Sequence, residues 1–347
     1  MKLKQPARRA TVHDVAREAG VSLATVDRVI NRRPGVRPAT AEKVELAIAT
    51  LDFRRDLSAS LLARARDLRI QFVLPDGRNE FMDKLAQAVA RRARIGATER
   101  LHLDTARVRA MDAAALAAHL DRLDRTNCDC AVVVAVDDER VRQAVDALGR
   151  RGVAVVTLVS DLPNSARRIF VGIDNVAAGR TAGSLMGRFV GTGKVALVAG
   201  SFGLHDHLDR LEGFRSVAIR EFPGLELIGP VEAHDDRGET EASVQRLLAE
   251  HLDLRGIYNL GAGNDGLVAA LEASDRAHGL RVIAHELSQA TEAGLRGGLV
   301  DVVLDQDPDG EIDAAVAAAR ALVSGAALEA DTVPIEIGLY LRDNLRR

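Results

Sequence analysis

Aromatic side chains are scarce in this chain of 347 residues: there is no tryptophan, and two tyrosines and eight phenylalanines make up only 3% of it. Any pocket therefore has little stacking surface, which points to a small or very polar ligand. There are two cysteines, Cys128 and Cys130, too few for a structural zinc site. They read as free, packing thiols of a reducing compartment. No apolar run approaches the ~20 residues that span a bilayer. The start, Met1 to Pro6, lacks the apolar stretch of a secretory signal, so a cytoplasmic location is expected. A Walker loop and a Gly-x-Ser-x-Gly elbow are both missing, and His285-Glu286 has no second histidine four residues on. The expectation is a protein with no catalytic residues, no metal and no cofactor. The length predicts two or three domains, and 47% hydrophobic content suits a globular protein.

Charge, in contrast, is plentiful and unevenly spread. Residues 1–69 hold 15 Lys and Arg against 8 Asp and Glu, a net +7; the remainder holds 32 against 42, a net −10. A basic end on an acidic body is the electrostatic footprint of phosphate binding by one end only. Local pattern agrees. Thr11 stands where a helix N-cap belongs, with Asp14 at the capping-box position. Val12, Val15, Ala16 and Ala19 recur at helical spacing, and Gly20 supplies a turn. Ser22 caps a second helix whose buried face is Val26, Val29 and Ile30. A third runs from about Thr40 to Leu51, with Val44, Ala47, Ile48 and Leu51 closing a small core. Two short helices around a glycine turn make a helix-turn-helix, and Leu23, Ala24 and Arg28 then point into a major groove. A helical pair with a solvated basic surface has the same spacing.

Thr11 to Ala63 resembles the N-terminal domain of the LacI family of bacterial regulators. The resemblance lies in Asp14-Val15-Ala16, Ala19-Gly20-Val21-Ser22, Thr25-Val26, Arg28-Val29, Asn31 and Thr40-Ala41-Glu42-Lys43-Val44. It implies that Leu23 and Ala24 face base edges, while Thr25, Arg28 and Asn31 contact phosphates or set the helix. The family has Ser where this chain has Asp27, which must face away from phosphate or read a base amino group. Residues 56–64 match the family's hinge helix, with Leu62 placed as a minor-groove wedge that bends DNA. A hinge so short is marginal alone, and an ordinary linker helix is the alternative. The expected DNA-contacting set is Thr11, Ser22, Leu23, Ala24, Thr25, Asp27, Arg28, Asn31, Ser58 and Leu62.

Beyond Arg69, short apolar strands alternate with amphipathic helices, the pattern of parallel sheets covered on both faces. Two units of five or six strands fit the length, and Thr332–Leu341 reads as a returning strand. This body resembles the type I periplasmic-binding-protein sensor, through Asp174-Asn175-Val176, Arg210-Leu211-Glu212-Gly213-Phe214, Asn264-Asp265 and Gln306-Asp307-Pro308. The fold class is thus α/β, a two-lobed sensor with an N-terminal all-α helix-turn-helix domain. The expected domains are a head at 1–55, a hinge and linker at 56–68, and a sensing and dimerisation domain at 69–347. Within the last, lobe 1 covers about 69–173 and 307–331, and lobe 2 about 174–306 and 332–347. The resemblance implies crossings near Ile173, Gln306 and Asp331, with a sugar-sized ligand between the lobes.

Ligands of open α/β sheets gather at the carboxyl ends of strands. The polar residues there are Asp137, Asp161, Asn264, Asp265, Glu286 and Gln306, with Asn79 and Phe81 after the first strand. His207 and Arg210 lie together on one segment. Acids, amides, an arginine and a ring supply what sugar hydroxyls and ring carbons need, though each polar residue also suits a helix cap. Matched to the ribose-binding pattern, Phe81, Arg210, Asn264 and Gln306 carry over, while His285 and Glu286 depart from it and make ribose itself doubtful. Two motifs compete. Gly261-Ala262-Gly263-Asn264-Asp265-Gly266 has the form of a dinucleotide loop, but Asp265 would repel a pyrophosphate. His205-Asp206-His207, with His234-Asp235-Asp236, reads as a polar loop or pocket rim more than a metal site.

The function expected is that of a DNA-binding transcriptional repressor, a homodimer on a palindromic operator, controlled by a sugar, polyol or sugar acid. The alternative is an NAD- or nucleotide-using enzyme with an accessory basic head. Nothing after the last strand has heptad character, so no coiled-coil tetramer is expected.

Overall fold

The computed structural model describes residues 11–30, 35–51, 67–77, 79–326, 330 and 332–345. The hinge with Ser58 and Leu62, as well as Asn31, lies outside the described residues. The chain divides into two compact units, Met1–Arg66 and Asp67–Arg347.

The first unit contains α1 (Val12–Ala19), α2 (Leu23–Ile30) and α3 (Pro38–Thr50). Thr11 and Asp14 form the expected capping box, and Gly20 closes α1 in the left-handed region at φ 65°. The Ser22 hydroxyl accepts from the Thr25 amide at 3.2 Å and so starts α2. Val15, Ala16, Val26, Val44 and Ala47 make the core, with Val29, Ile30, Ile48 and Leu51 packed against it.

The second unit is built on two six-stranded sheets. One orders its strands β11-β5-β4-β3-β1-β2, where β1 is Leu68–Asp76, β2 Leu101–Arg109, β3 Cys130–Val133, β4 Ala154–Leu158, β5 Ile169–Ile173 and β11 Thr332–Ile335. The other orders β12-β10-β9-β8-β6-β7, from β6 (Gly193–Ala199), β7 (Leu225–Glu232), β8 (Leu254–Asn259), β9 (Arg281–His285), β10 (Val302–Asp305) and β12 (Gly338–Tyr340). All neighbours are parallel except β10 and β12. The interior strand β3 is buried on both faces throughout, and β10 over Val302–Leu304, as near-continuous apolar runs require. Cys128 and Cys130 are free and buried at β3.

Two expectations need correction. Thr332–Leu341 is two strands: β11 joins the first sheet beside β5, and β12 turns into the second. Residues 332–335 therefore belong to lobe 1, and the third crossing falls at Glu336–Ile337, not near Asp331. Alternation over ten residues looks like one strand, but the chain passes from one lobe to the other halfway along it. The other correction concerns His205-Asp206-His207, which opens a helix (His205–Glu221) and is not a loop.

The helices continue as α4 (Glu80–Gly96), α5 (Ala113–Leu120), α6 (Glu139–Arg150), α7 (Asn175–Val190), α8 (His205–Glu221), α9 (Arg237–Glu250), α10 (Asn264–Glu272), α11 (Gln289–Gly297) and α12 (Pro308–Ser324). Close packing of α7 on α8 sets the geometry of the cleft. A Cβ on Gly179 would lie 2.0 Å from the Arg210 carbonyl oxygen, and one on Gly213 2.1 Å from that of Val176. Only glycine allows this approach, which brings Arg210 of α8 onto Asn175 of α7.

Candidate functional site

On the head, α2 turns Val26 inward and leaves Ser22, Leu23, Ala24, Asp27 and Arg28 exposed, with Thr25 half-buried. Leu23 is 41% exposed, and an apolar side chain open at the start of α2 suits contact with a base edge. Thr11 is spent on its capping box, where its hydroxyl donates to Asp14 Oδ2 at 2.7 Å.

The second site lies between the lobes. Contacts on each rim hold them together. On one, the Asp137 amide donates to the Gly203 carbonyl at 2.8 Å, and the His205 amide to Ser160 Oγ at 3.1 Å. On the other, the Lys84 ammonium donates to the Leu287 carbonyl, and the Gln289 amide to the Glu80 carboxylate at 3.0 Å. Beside this second rim Phe81, Lys84, Glu286, Leu287, Ser288, Asp305 and Pro308 enclose a cavity of about 140 Å³.

Arg210 is the centre of the interior. It is 1% exposed, donates from Nε to Asn175 Oδ1 at 2.8 Å and from Nη1 to the Leu260 carbonyl at 2.9 Å, and lies 3.6 Å from Asp206. Its Nη2 makes no hydrogen bond. Gln306, also 1% exposed, sits between β10 and α12 with both amide atoms unpartnered. Buried polar groups are normally satisfied, so atoms left over in a cleft mark a place for another molecule. Glu286 stands at φ 70° just past β9, a strained backbone for a non-glycine residue. Burial pushes its carboxyl up to about 8, against the pull of Arg210.

Other expected ligand residues serve the chain itself. Asn264 bridges Asn259 and the His285 carbonyl, at 2.9 Å each. Asn79 caps α4 by accepting from the Phe81 and Met82 amides. Asp161 takes the Thr157 hydroxyl at 2.6 Å and Arg167 at 2.8 Å, and Asp137 takes Arg142 at 2.6 Å. His207 is tied to the backbone of Ser201 at 3.0 Å. Asp265 is exposed in the first turn of α10. His285 lies beneath the cleft, fully buried, with Nε2 2.8 Å from the Tyr258 hydroxyl; burial holds its imidazole well below its usual range.

Sequence reasoning named Asn175, Asp206 and Asp235 only within motifs, without a place in the site, and missed Glu311. Glu311 was readable: it stands four and eight residues before Ala315 and Ala319, on the apolar face of α12. Asp235 answers the dinucleotide motif. Its Oδ1 accepts from the Ala262 amide at 2.7 Å, filling with a carboxylate the loop where a pyrophosphate would sit. The glycines there serve packing: a Cβ on Gly266 would lie 2.0 Å from the Arg237 carbonyl of α9. Among the described residues no three His, Cys, Asp or Glu side chains gather as a metal group, and no helix is long and apolar enough to cross a membrane.

Comparison with known proteins agrees with both regions. Residues 11–56 match the bacterial regulatory proteins of the lacI family, and residues 70–327 match the periplasmic binding protein domain. Catabolite control protein A of Priestia megaterium is 42% identical over 79 residues, 23% of this chain and 24% of that one. The same protein of Staphylococcus xylosus is 40% identical over 79 residues, again 24% of its length. The chain thus matches about a quarter of the length of these relatives. Among solved structures, an ABC-transporter solute-binding protein of Burkholderia graminis in complex with D-arabinose superposes with a TM-score of 0.75 at 21% identity, over 81% of this chain and 97% of that one. GanP, a glucose–galactose binding protein of Geobacillus stearothermophilus, gives 0.73 at 20% identity, over 81% and 99%. With a family match over most of its length and a second at its head, the chain belongs to the periplasmic-binding-protein domain family and carries a lacI-family regulatory domain at its N-terminus.

Proposed function

We propose that the chain is a sequence-specific DNA-binding repressor of transcription, controlled by a small sugar-like effector. One observation carries this reading: a lacI-type helix-turn-helix shares a chain with a cleft in which the buried Gln306, near the ion-paired Arg210, keeps both amide atoms without a hydrogen bond. The names of the relatives, a catabolite control protein and sugar-binding proteins, support it.

In this reading two copies form a cytoplasmic homodimer, and each α2 lies in the major groove of one operator half-site. Leu23 and Ala24 read bases; Ser22, Thr25, Arg28 and Asn31 hold phosphates. Ser58 and Leu62 act from a hinge helix at 56–64. Arg210, Gln306, Glu286 and Phe81 contact the effector, while Asn264 and Asn175 position that set. Ligand binding changes the balance between lobe arrangements and so operator affinity, and by linkage DNA changes effector affinity by the same factor. No catalysis is assigned to the chain.

The test is to enrich a random duplex library on the full chain and follow the enriched duplex by fluorescence anisotropy with sugars, polyols and sugar acids added. A palindromic motif whose affinity drops with one sugar class is expected. Enrichment no better than non-specific DNA, or affinity indifferent to the whole panel, would overturn the reading.

A further inference from the structure

Without β11 and β12, the two sheets run in the same strand order, β2-β1-β3-β4-β5 and β7-β6-β8-β9-β10. The rims of the cleft repeat this correspondence. Just past β4 and β9, Val159 and Glu286 both stand at positive φ, 64° and 70°, a strained backbone for residues with a Cβ. Both amides bond to the next strand, to the Val171 carbonyl at 3.0 Å and the Leu304 carbonyl at 2.8 Å. Each turn then receives, from the opposite lobe, the helix that follows β1 or β6. Ser160 Oγ accepts from the His205 amide of α8, and the Leu287 carbonyl accepts from the Lys84 ammonium of α4.

Both helices carry a basic side chain at this point, placed the same way. Lys84 pairs at 3.1 Å with Glu80, four residues away on α4, and reaches lobe 2 at Leu287. His205 lies 3.5 Å from Asp209, four residues away on α8, and 3.7 Å from Asp137 of lobe 1. Its Nδ1, the atom nearest Asp137, is buried and makes no hydrogen bond. Lysine keeps its charge through the neutral range; histidine gains or loses one between about pH 5 and 8. A protonated imidazole attracts both carboxylates, whereas a neutral one has no charge to offer either of them.

The other charges at this rim are matched within their own lobes. Asp137 takes Arg142 at 2.6 Å and Asp161 takes Arg167 at 2.8 Å, all in lobe 1. In lobe 2, Asp206 lies 3.6 Å from Arg210 and 3.6 Å from His207, which is tied to the Ser201 backbone. Asp209 has no arginine at ion-pair distance among the described residues. Burial raises its carboxyl against the pull of His205, and Asp206, Glu212 and Asp161 push it the same way as burial. His205 is thus the basic group of this rim that faces an acid of the opposite lobe.

We propose that His205 is a proton-operated latch on the lobes. Protonated, it draws Asp137 of lobe 1 onto α8 of lobe 2 and favours the closed arrangement. Neutral, it releases that tie, while the Lys84 contact on the other rim persists. Closure is therefore firmer at the acid end of the imidazole range and looser at its alkaline end. The latch depends on the lobes alone and not on the identity of any effector. Under the sensor reading above, it makes operator affinity sensitive to pH.

The test is residue-resolved hydrogen exchange of the full chain between about pH 5.5 and about pH 7, expressed as protection factors. The Asp137 and His205 amides donate across the seam and report its opening. The Val134 amide on the Val73 carbonyl and the Leu260 amide on the Val198 carbonyl report each lobe by itself. Protection at the seam should fall with rising pH about two- to fivefold more in the wild type than in His205→Gln, the worth of one partly exposed ion pair. Asp137→Asn, which keeps the backbone amide and an acceptor for Arg142, should match His205→Gln, and either variant answers alone if the other fails to fold. The in-lobe amides should show one pH dependence in all three proteins, since any contribution of Glu286 is common to them. An equal fall at the seam in the wild type and a folded variant overturns the inference. So does a variant whose in-lobe amides lose as much pH dependence as its seam amides, which marks a change in overall stability.

Discussion

The head and the cleft recognise their partners by opposite means. The head displays Leu23, Ala24 and Arg28 on the open side of one helix, within six residues of sequence. The cleft assembles Arg210, Glu286 and Gln306 from separate segments of the chain and buries Arg210 and Gln306. A surface that reads a long polyanion needs reach and charge, whereas a small molecule needs enclosure and unspent hydrogen bonds. The difference teaches what to look for in each case: exposure where a side chain is not expected to be exposed, and unsatisfied polarity where none should be buried.

The comparison breaks most visibly at Arg210. Arg210→Ala removes the partner of Asn175 and of the Leu260 carbonyl and leaves Asp206 buried without its cation. Urea unfolding should show a loss of about 3–5 kcal/mol, with no loss of DNA affinity in any fraction that stays folded. The two amides sharpen it next. Asn264→Ala breaks two buried hydrogen bonds, and about 1–3 kcal/mol of stability should go with them. Gln306→Ala breaks none, so stability should hold while effector affinity falls tenfold or more, roughly 1.4 kcal/mol. Equal destabilisation by both would dissolve the distinction between positioning and binding residues.

The head should respond to smaller changes. Thr11→Ala removes a capping box and should cost the head about 1 kcal/mol by thermal melting of a core of five buried residues. Arg28→Ala should lower the slope of log affinity against log salt by about 0.9, the value for one phosphate contact. An unchanged slope would move Arg28 off the phosphates.

A pH effect is confined to the sensor. The Glu286 carboxyl, raised to about 8, keeps its proton in the folded state where the unfolded chain has lost it. The folded state then binds more protons, and stability falls as pH rises from the ordinary carboxylate range toward 8. Arg210, Asp206, Asp235 and Asp305 are the charges facing that carboxyl. Glu286→Gln should flatten the decline in melting temperature over this window; an unaltered decline would place its origin elsewhere.

Sequence made the head and the alternation of strands and helices legible because both are local. Thr11, Asp14, Gly20 and Ser22 do their work within four residues of themselves. The cleft was legible only as a set of strand ends. Asn79, Asn264 and Gln306 look alike in sequence, polar residues after strands. Only the fold separates Asn79 on its helix amides and Asn264 on the His285 carbonyl from Gln306 with nothing to hold. The same holds for the returning strand, whose division between two sheets depends on which lobe each half meets. Asp235 on the Ala262 amide is a contact over 27 residues that no motif encodes.

The central claim is that the cleft around Arg210 and Gln306 binds a sugar-like effector. Its most direct test is a thermal-shift panel of pentoses, hexoses, polyols, sugar acids, sugar phosphates and NAD(P), run on the full chain and on Gln306→Ala. Ligand that binds only the folded state raises the melting temperature by mass action. The account predicts a rise with one class of sugar, polyol or sugar acid, lost in Gln306→Ala although that variant melts normally when free. A rise with NAD alone, or one that persists undiminished in Gln306→Ala, would contradict it.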